Sequence, residues 1–296
     1  VRHFLRMSDF TGAEARDVFG RSRTFKAART SSPQPLAGQT WVMIFSKSST
    51  RTRVSFEVGL QELGARTLFL NSSEIQSGRG EPIHDTARVL GRMVHGAVIR
   101  TFAQKEVEEF ARFSQLPTIN ALTDEEHPCQ ILTDIFTYEE LRGPIRGKKV
   151  AFIGDAGCNV CHSWVAAAPI FGFQLVCAAP EGYQTRFRND HVTVTSDPAE
   201  AVKGADLVYT DVWVSMGKEQ EAQERIKAFQ GYQINDSLMK GAPGALVLHC
   251  LPAYRGMEIS EALFEARAQD IFTQAENRLH VQKGILDFLH ANRSGA

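Results

Sequence analysis

The sequence predicts an α/β protein built as two doubly wound parallel-sheet domains. Three observations point there. Short apolar runs alternate with segments of helical spacing over most of the chain. The alternation pauses at Gly143-Pro144-Ile145-Arg146-Gly147 and then restarts. Finally, 296 residues that are 43% hydrophobic can bury two cores, since a domain takes ~100–200 residues.

The elements follow in order. Trp41 to Phe45 is an unbroken apolar run and reads as a buried strand. Phe56, Leu60 and Leu63 then recur at helical spacing until Gly64 stops them. Thr67 to Leu70 is a second strand. In 84–94 the residues Val89, Leu90, Met93 and Val94 share one side of a helix. Ala97 to Arg100 is a strand, and 105–113 a helix facing inward through Val107, Phe110 and Phe113. After the break, strands are expected at 149–153, 174–178, 206–210 and 245–248, with a helix from about Cys161 to Phe171. A last amphipathic helix covers 276–290. The expected domains are therefore 1–142, with the C-terminal helix 276–296 packing back on it, and 143–275.

Lys and Arg number 33 against 34 Asp and Glu, a formal net charge of -1. Such a balance offers no general attraction to nucleic acid or an anionic membrane, so neither is an expected partner. It leaves room for a local cationic pocket. The most apolar stretch, Trp164 to Pro180, is interrupted by Pro169, Gly172 and Gln174 and is no membrane span. Five scattered cysteines, 129, 158, 161, 177 and 250, do not make a disulfide framework. Reduced thiols and the lack of a signal-like N-terminal segment place the expected site of action in the cytoplasm.

In doubly wound sheets the loops at the carboxyl ends of the strands carry the chemistry. Ser46-Lys-Ser-Ser-Thr-Arg-Thr-Arg53 lies between a strand and a helix. Hydroxyls, guanidinium forks and the free N–H groups of a helix start together suit a phosphate. Read alone, the segment is also an ordinary Ser/Thr helix cap with solvated arginines. Arg100 ends another strand, where it is either a partner for an anion held by that loop or an ordinary surface arginine. His127-Pro-Cys-Gln130 puts two hydrogen-bonding side chains at a helix entrance, where they can polarise a carbonyl or simply cap a turn. Asp211-Val-Trp-Val-Ser-Met-Gly217 and His249-Cys-Leu-Pro252 follow strands of the second half, and both suit a polar amino-acid-like ligand.

These segments, with Asp85-Thr-Ala-Arg88, occur together in one order. In that order the chain resembles the aspartate/ornithine carbamoyltransferase family, from the first strand to Ala275-Glu-Asn-Arg278. The Ser-Met-Gly and His-Cys-Leu-Pro segments look like the ornithine branch. The resemblance implies two domains joined by interdomain helices. It assigns Ser49, Thr50, Arg51 and Thr52 to the phosphate of carbamoyl phosphate, and Arg100, His127 and Gln130 to its phosphate and carbonyl. Arg278 is a further contact, and Cys250 and Leu251 lie beside the reacting amine. Asn159 matches the contact to the ornithine carboxylate. Asp211, Ser215 and Met216 match the loop that holds the amino-acid head. Gln76 lies where a neighbouring subunit of a trimer, or of an assembly of trimers, completes the site. Arg100, His127, Asp211 and Cys250 are the expected catalytic set. No strong base is expected beside Cys250, and no metal or organic cofactor is implied.

Three other readings have some footing. Gly154-Asp-Ala-Gly157 stands where a dinucleotide loop would, without that motif's glycine spacing. Cys158-x-x-Cys161-His162 is a single thiol pair, short of a zinc site. A non-catalytic relative would have lost the phosphate loop or His127 and Gln130, and all are present. Within the family, putrescine, an N-acylated ornithine or aspartate are the competing acceptors.

Overall fold

The computed structural model describes residues 1–29, 31, 33–71, 81–215, 217 and 219–292. It divides into two compact units, Val1–Thr133 with Asn277–Ala296, and Asp134–Glu276.

In unit 1, α1 (Gly12–Ala27) precedes a β/α alternation: β1 (Thr40–Phe45), α2 (Thr50–Glu62), β2 (Arg66–Asn71), α3 (Ile83–Leu90), β3 (Gly96–Arg100), α4 (Gln104–Ser114) and β4 (Thr118–Leu122). All strand pairs are parallel, in the order β2-β1-β3-β4. The central strands β1 and β3 are buried on both faces, as parallel sheets covered by helices must be. Ala97, Ile99, Val107 and Phe110 join Val42 and Ile44 in one core cluster.

The helix α5 (Pro128–Arg142) leads into unit 2. There β5 (Lys149–Ile153), α6 (Asn159–Phe171), β6 (Gln174–Ala178), β7 (Val192–Thr195), α7 (Pro198–Val202) and β8 (Leu207–Thr210) follow. Next come α8 (Ala222–Ala228), α9 (Asp236–Met239), β9 (Leu246–His249) and α10 (Glu261–Ala266), and α11 (Ala268–Ala291) closes the chain. This sheet is also fully parallel, in the order β7-β6-β5-β8-β9. Its core gathers Ala151, Ile153, Val208, Val247, Phe229 and Ile259. Both α5 and α11 contribute residues to both units.

The predicted α/β class with two parallel sheets is what the chain adopts. Each sheet has one point where the strand order reverses, between β1 and β3 and between β5 and β8. Loops leaving those neighbouring strands diverge and open a crevice. In unit 1 the crevice lies beyond Phe45 and Arg100, and in unit 2 beyond Ile153 and Thr210.

Candidate active site

The unit 1 crevice begins with the loop after β1. Ser46 N–H donates to the Arg100 carbonyl at 2.8 Å, which fastens that loop to the end of β3. Ser49 caps α2 by accepting from Thr52 N–H, and its hydroxyl lies 3.0 Å from Thr52 Oγ1. The first turn of α2 thereby presents its N–H groups and positive dipole end beyond the strand ends. Thr50 and Arg51 are exposed on that turn. Arg51 pairs with no other described side chain.

Behind the turn lies a buried polar cluster. Thr52, Arg100, His127, Gln130 and Arg278 are all at most 6% exposed. Arg278 donates from Nη1 to Gln130 Oε1 at 2.6 Å and from Nη2 to Thr52 Oγ1 at 3.4 Å. With its amide turned to suit its neighbours, Gln282 accepts from Arg278 at 2.9 and 3.1 Å and donates to Ser55 Oγ at 2.7 Å. Sequence reading passed over Gln282, because a mid-helix Gln carries no local signal. Burial, then the charges of Arg278 and Arg100, hold the His127 imidazolium pKa well below its ordinary value. His127 is therefore a neutral imidazole, with one N–H to donate to a carbonyl oxygen. Its neighbour Cys129 is buried, and its thiol pKa rises to about 12, so it is inert.

The unit 2 crevice is built differently. Thr210 Oγ1 donates to the Ile153 carbonyl at 2.6 Å and locks the ends of β8 and β5 together. Asp211 comes next and is buried. Its Oδ1 accepts from Val212 N–H at 2.8 Å and from the Cys250 thiol at 2.9 Å. Burial lifts the Asp211 pKa, while His249, Cys250 and the Val212 N–H work against that rise. Burial and the facing Asp211 push the Cys250 thiol well up, so it stays protonated and donates. A carboxylate thus stands directly beside Cys250, where sequence reading expected no base.

The β9 loop is held from beneath. Leu251 N–H donates to His249 Nδ1 at 2.8 Å, which leaves the imidazole proton on Nε2, 3.0 Å from Glu258 Oε1. That bond holds Leu251 at a left-handed φ of 60°. Glu258 also accepts from Tyr254 N–H at 2.6 Å. Asn159 is the first residue of α6 and partly exposed, and Cys158 caps that helix. Cys161 Sγ faces Cys177 Sγ at 3.5 Å. Ser215 is partly exposed, and Gly217 has a φ of 90°. Gln76 and Met216 lie outside the described residues.

Thr52, Arg100, His127, Gln130 and Arg278 therefore form one cluster in unit 1, with Ser49, Thr50 and Arg51 at its helix entrance. Asp211 and Cys250 form a bonded pair in unit 2. Family models define the class to which such a chain is assigned. The one described as "Aspartate/ornithine carbamoyltransferase, carbamoyl-P binding domain" matches residues 2–140. The one described as "Aspartate/ornithine carbamoyltransferase, Asp/Orn binding domain" matches residues 146–289. The chain belongs to the aspartate/ornithine carbamoyltransferase family. It is 53% identical to an ornithine carbamoyltransferase of Akkermansia muciniphila, covering 100% of both chains. With that of Geobacter sulfurreducens it is 49% identical, over 97% of this chain and 98% of the relative. The anabolic ornithine carbamoyltransferase of Campylobacter jejuni superposes with a TM-score of 0.92 at 41% identity, over 99% of this chain and 100% of that one. The Pyrococcus furiosus enzyme gives 0.92 at 40% identity, over 99% and 98%.

Proposed function

We propose that this chain transfers the carbamoyl group of carbamoyl phosphate to the side-chain amine of L-ornithine, giving L-citrulline and phosphate. The observation that carries the donor half is the buried Arg100–His127–Gln130–Arg278 cluster behind the N-terminus of α2. Helix N–H groups and Arg51 would hold the phosphate. The neutral His127, with Arg100 and Thr52, would donate to the carbonyl oxygen as charge develops on it. Such preorganised donors are worth ~2.7–4 kcal/mol each where they have been removed.

The acceptor half rests on unit 2. Asp211 would pair with the α-ammonium and Asn159 would donate to the α-carboxylate, with Ser215 and Met216 beside the head. Cys250 and Leu251 would border the amine. That amine is the nucleophile, so no side chain need attack, and transfer is direct without a covalent enzyme intermediate. The same reading takes the chain as a homotrimer or an assembly of trimers, with Gln76 at a subunit border. The described cysteines are free thiols, in keeping with a cytoplasmic setting. Among the described residues no helix is long and apolar enough to cross a membrane.

The test is a colorimetric ureido assay with carbamoyl phosphate and, in turn, ornithine, putrescine, N-acetylornithine and aspartate. Ornithine should lead by a wide margin, because putrescine offers no α-carboxylate to Asn159 and an acyl group crowds Asp211. Asp211→Asn should cost about 2 kcal/mol or more in kcat/KM for ornithine. Equal turnover of putrescine and ornithine would defeat the acceptor assignment. Exchange of labelled phosphate into carbamoyl phosphate without acceptor would defeat direct attack.

A further inference from the structure

One guanidinium ties together three loops at the carboxyl edge of the unit 2 sheet. Arg225, on α8, donates from Nη1 to Asp155 Oδ2 at 2.7 Å in the loop after β5. The same nitrogen donates to the Trp213 carbonyl at 3.1 Å in the loop after β8. Its planar face lies 5.1 Å from the Tyr183 ring centre, in the loop after β6. Glu221, one turn earlier, fixes Nε at 2.8 Å. Asp155 and Arg225 side chains are each only 4% exposed. Asp155 also accepts from Gly157 N–H through Oδ1 at 2.9 Å, which shapes the turn leading to Asn159.

A buried pair of this kind gains little net stability over apolar residues of like volume. What it fixes is geometry. Only Arg has a rigid fork that can serve a carboxylate, a carbonyl and an aromatic face at once. Asn159 and Asp211 come from the two loops that this fork joins.

We propose that the Asp155–Arg225 pair is the positioning element of the acceptor half-site, holding the loops after β5, β6 and β8 at the spacing that an α-amino-acid head requires. The proposal rests on the ornithine reading above and deepens it. Neither residue touches the substrate. Both act through Asn159, Asp211 and Ser215. A shift of about 1 Å in such contacts can cost on the order of 100-fold in rate.

The experiment compares the native chain with Arg225→Lys, Arg225→Gln, Asp155→Asn and the double variant Asp155→Asn/Arg225→Gln, which replaces the ion pair by an amide pair. Three quantities are read for each: KM for ornithine, KM for carbamoyl phosphate, and binding of norvaline by calorimetry with carbamoyl phosphate present. Norvaline has the same head and carbon chain but no terminal amine, so it reports head binding without chemistry. Thermal unfolding shows which variants are folded. The folded variants should raise the ornithine KM and weaken norvaline by roughly 10-fold or more, with the carbamoyl phosphate KM within about 2-fold of native. Arg225→Lys keeps the charge and should still show the split. Unchanged ornithine KM and norvaline binding in folded Lys and Gln variants would overturn the proposal. So would an equal loss for both substrates, which marks a merely structural pair. Failure of the ornithine reading itself shows differently: the native chain then neither turns over ornithine nor binds norvaline, and the proposal falls with it.

Discussion

Arg51 is the exposed cation at the mouth of a cluster whose other guanidinium groups are buried. It has no described protein partner to satisfy, so its fork is available for a phosphate. Arg51→Ala should remove most activity. Arg51→Lys should also be poor, since a point charge cannot replace two parallel bonds. A near-native kcat/KM for carbamoyl phosphate in Arg51→Lys would show that the phosphate is held elsewhere. His127 makes a second prediction, through pH. Its folded-state pKa is held well below 6.5, so the unfolded chain binds more protons than the folded chain between those two values. Its contribution to stability is complete above 6.5 and is lost as pH falls through the folded pKa. His127 therefore stays neutral in the working range, and kcat/KM for ornithine should rise between about pH 6 and 8.5 with the free amine. A less basic acceptor amine should move that limb to lower pH. If the limb stays where it was, the titrating group belongs to the protein. Site residues were legible where they stand at a strand end or helix start, as Ser49, Arg100, His127 and Asp211 do. Gln282 and Arg225 act across long sequence separations from within ordinary-looking segments, and Glu258 braces His249 from a plain turn, so nothing local marks them.

Strands and helices were legible in proportion to their apolar periodicity. The strand β4 carries no plain apolar run because it includes Thr118 and Asn120, which are buried with Thr118 Oγ1 and Asn120 Nδ2 donating to partners inside. The strand β7, Val-Thr-Val-Thr, is a four-residue edge strand with no fully buried residue. The helix α2 begins at Thr50, ahead of Phe56 where the apolar spacing starts, because its first turn is polar and is set by the Ser49 cap. The helix α1 did carry a signal: Thr11 and Glu14 form a capping box ahead of buried Ala15, Val18, Phe19, Ser22 and Phe25. Register in the unit 1 sheet gives a prediction at this scale. Gly96 opens β3 opposite Trp41 of β1. A Cβ at 96 would stand 2.5 Å from Trp41 Cζ3. The indole is 1% exposed and its Nε1 is bonded to Gln39 at 3.1 Å, so it has nowhere to move. Gly96→Ala should destabilise the chain by ~1–3 kcal/mol through overpacking. Denaturant unfolding measures this, and an unchanged midpoint would mean that the indole can yield.

At the scale of the whole molecule, the sequence supplied order and the structure supplied convergence. Arg100 and Arg278 stand far apart in the chain, yet both set the electrostatics of His127. That convergence follows from α11 returning to unit 1, where Arg278 meets Thr52 and Gln130. Assembly is the step above this, and the proposed trimer makes it testable by complementation. In the proposed reading Arg51 serves the donor loop of its own subunit, while Gln76 serves a neighbour's site. Arg51→Ala and Gln76→Ala homotrimers should then each be nearly inactive. In a trimer containing both variants, one border joins an intact Arg51 to an intact Gln76, whichever variant is in the majority. Random reassembly from equal amounts makes about three quarters of the trimers mixed, each with one working site in three. The mixture should therefore recover about a quarter of native activity. Recovery should require dissociation and reassembly, and should not appear when the two homotrimers are combined without it. Activity no greater than the mean of the two parents after verified subunit exchange would show that each chain completes its own site, and Gln76 would lose its place at the border.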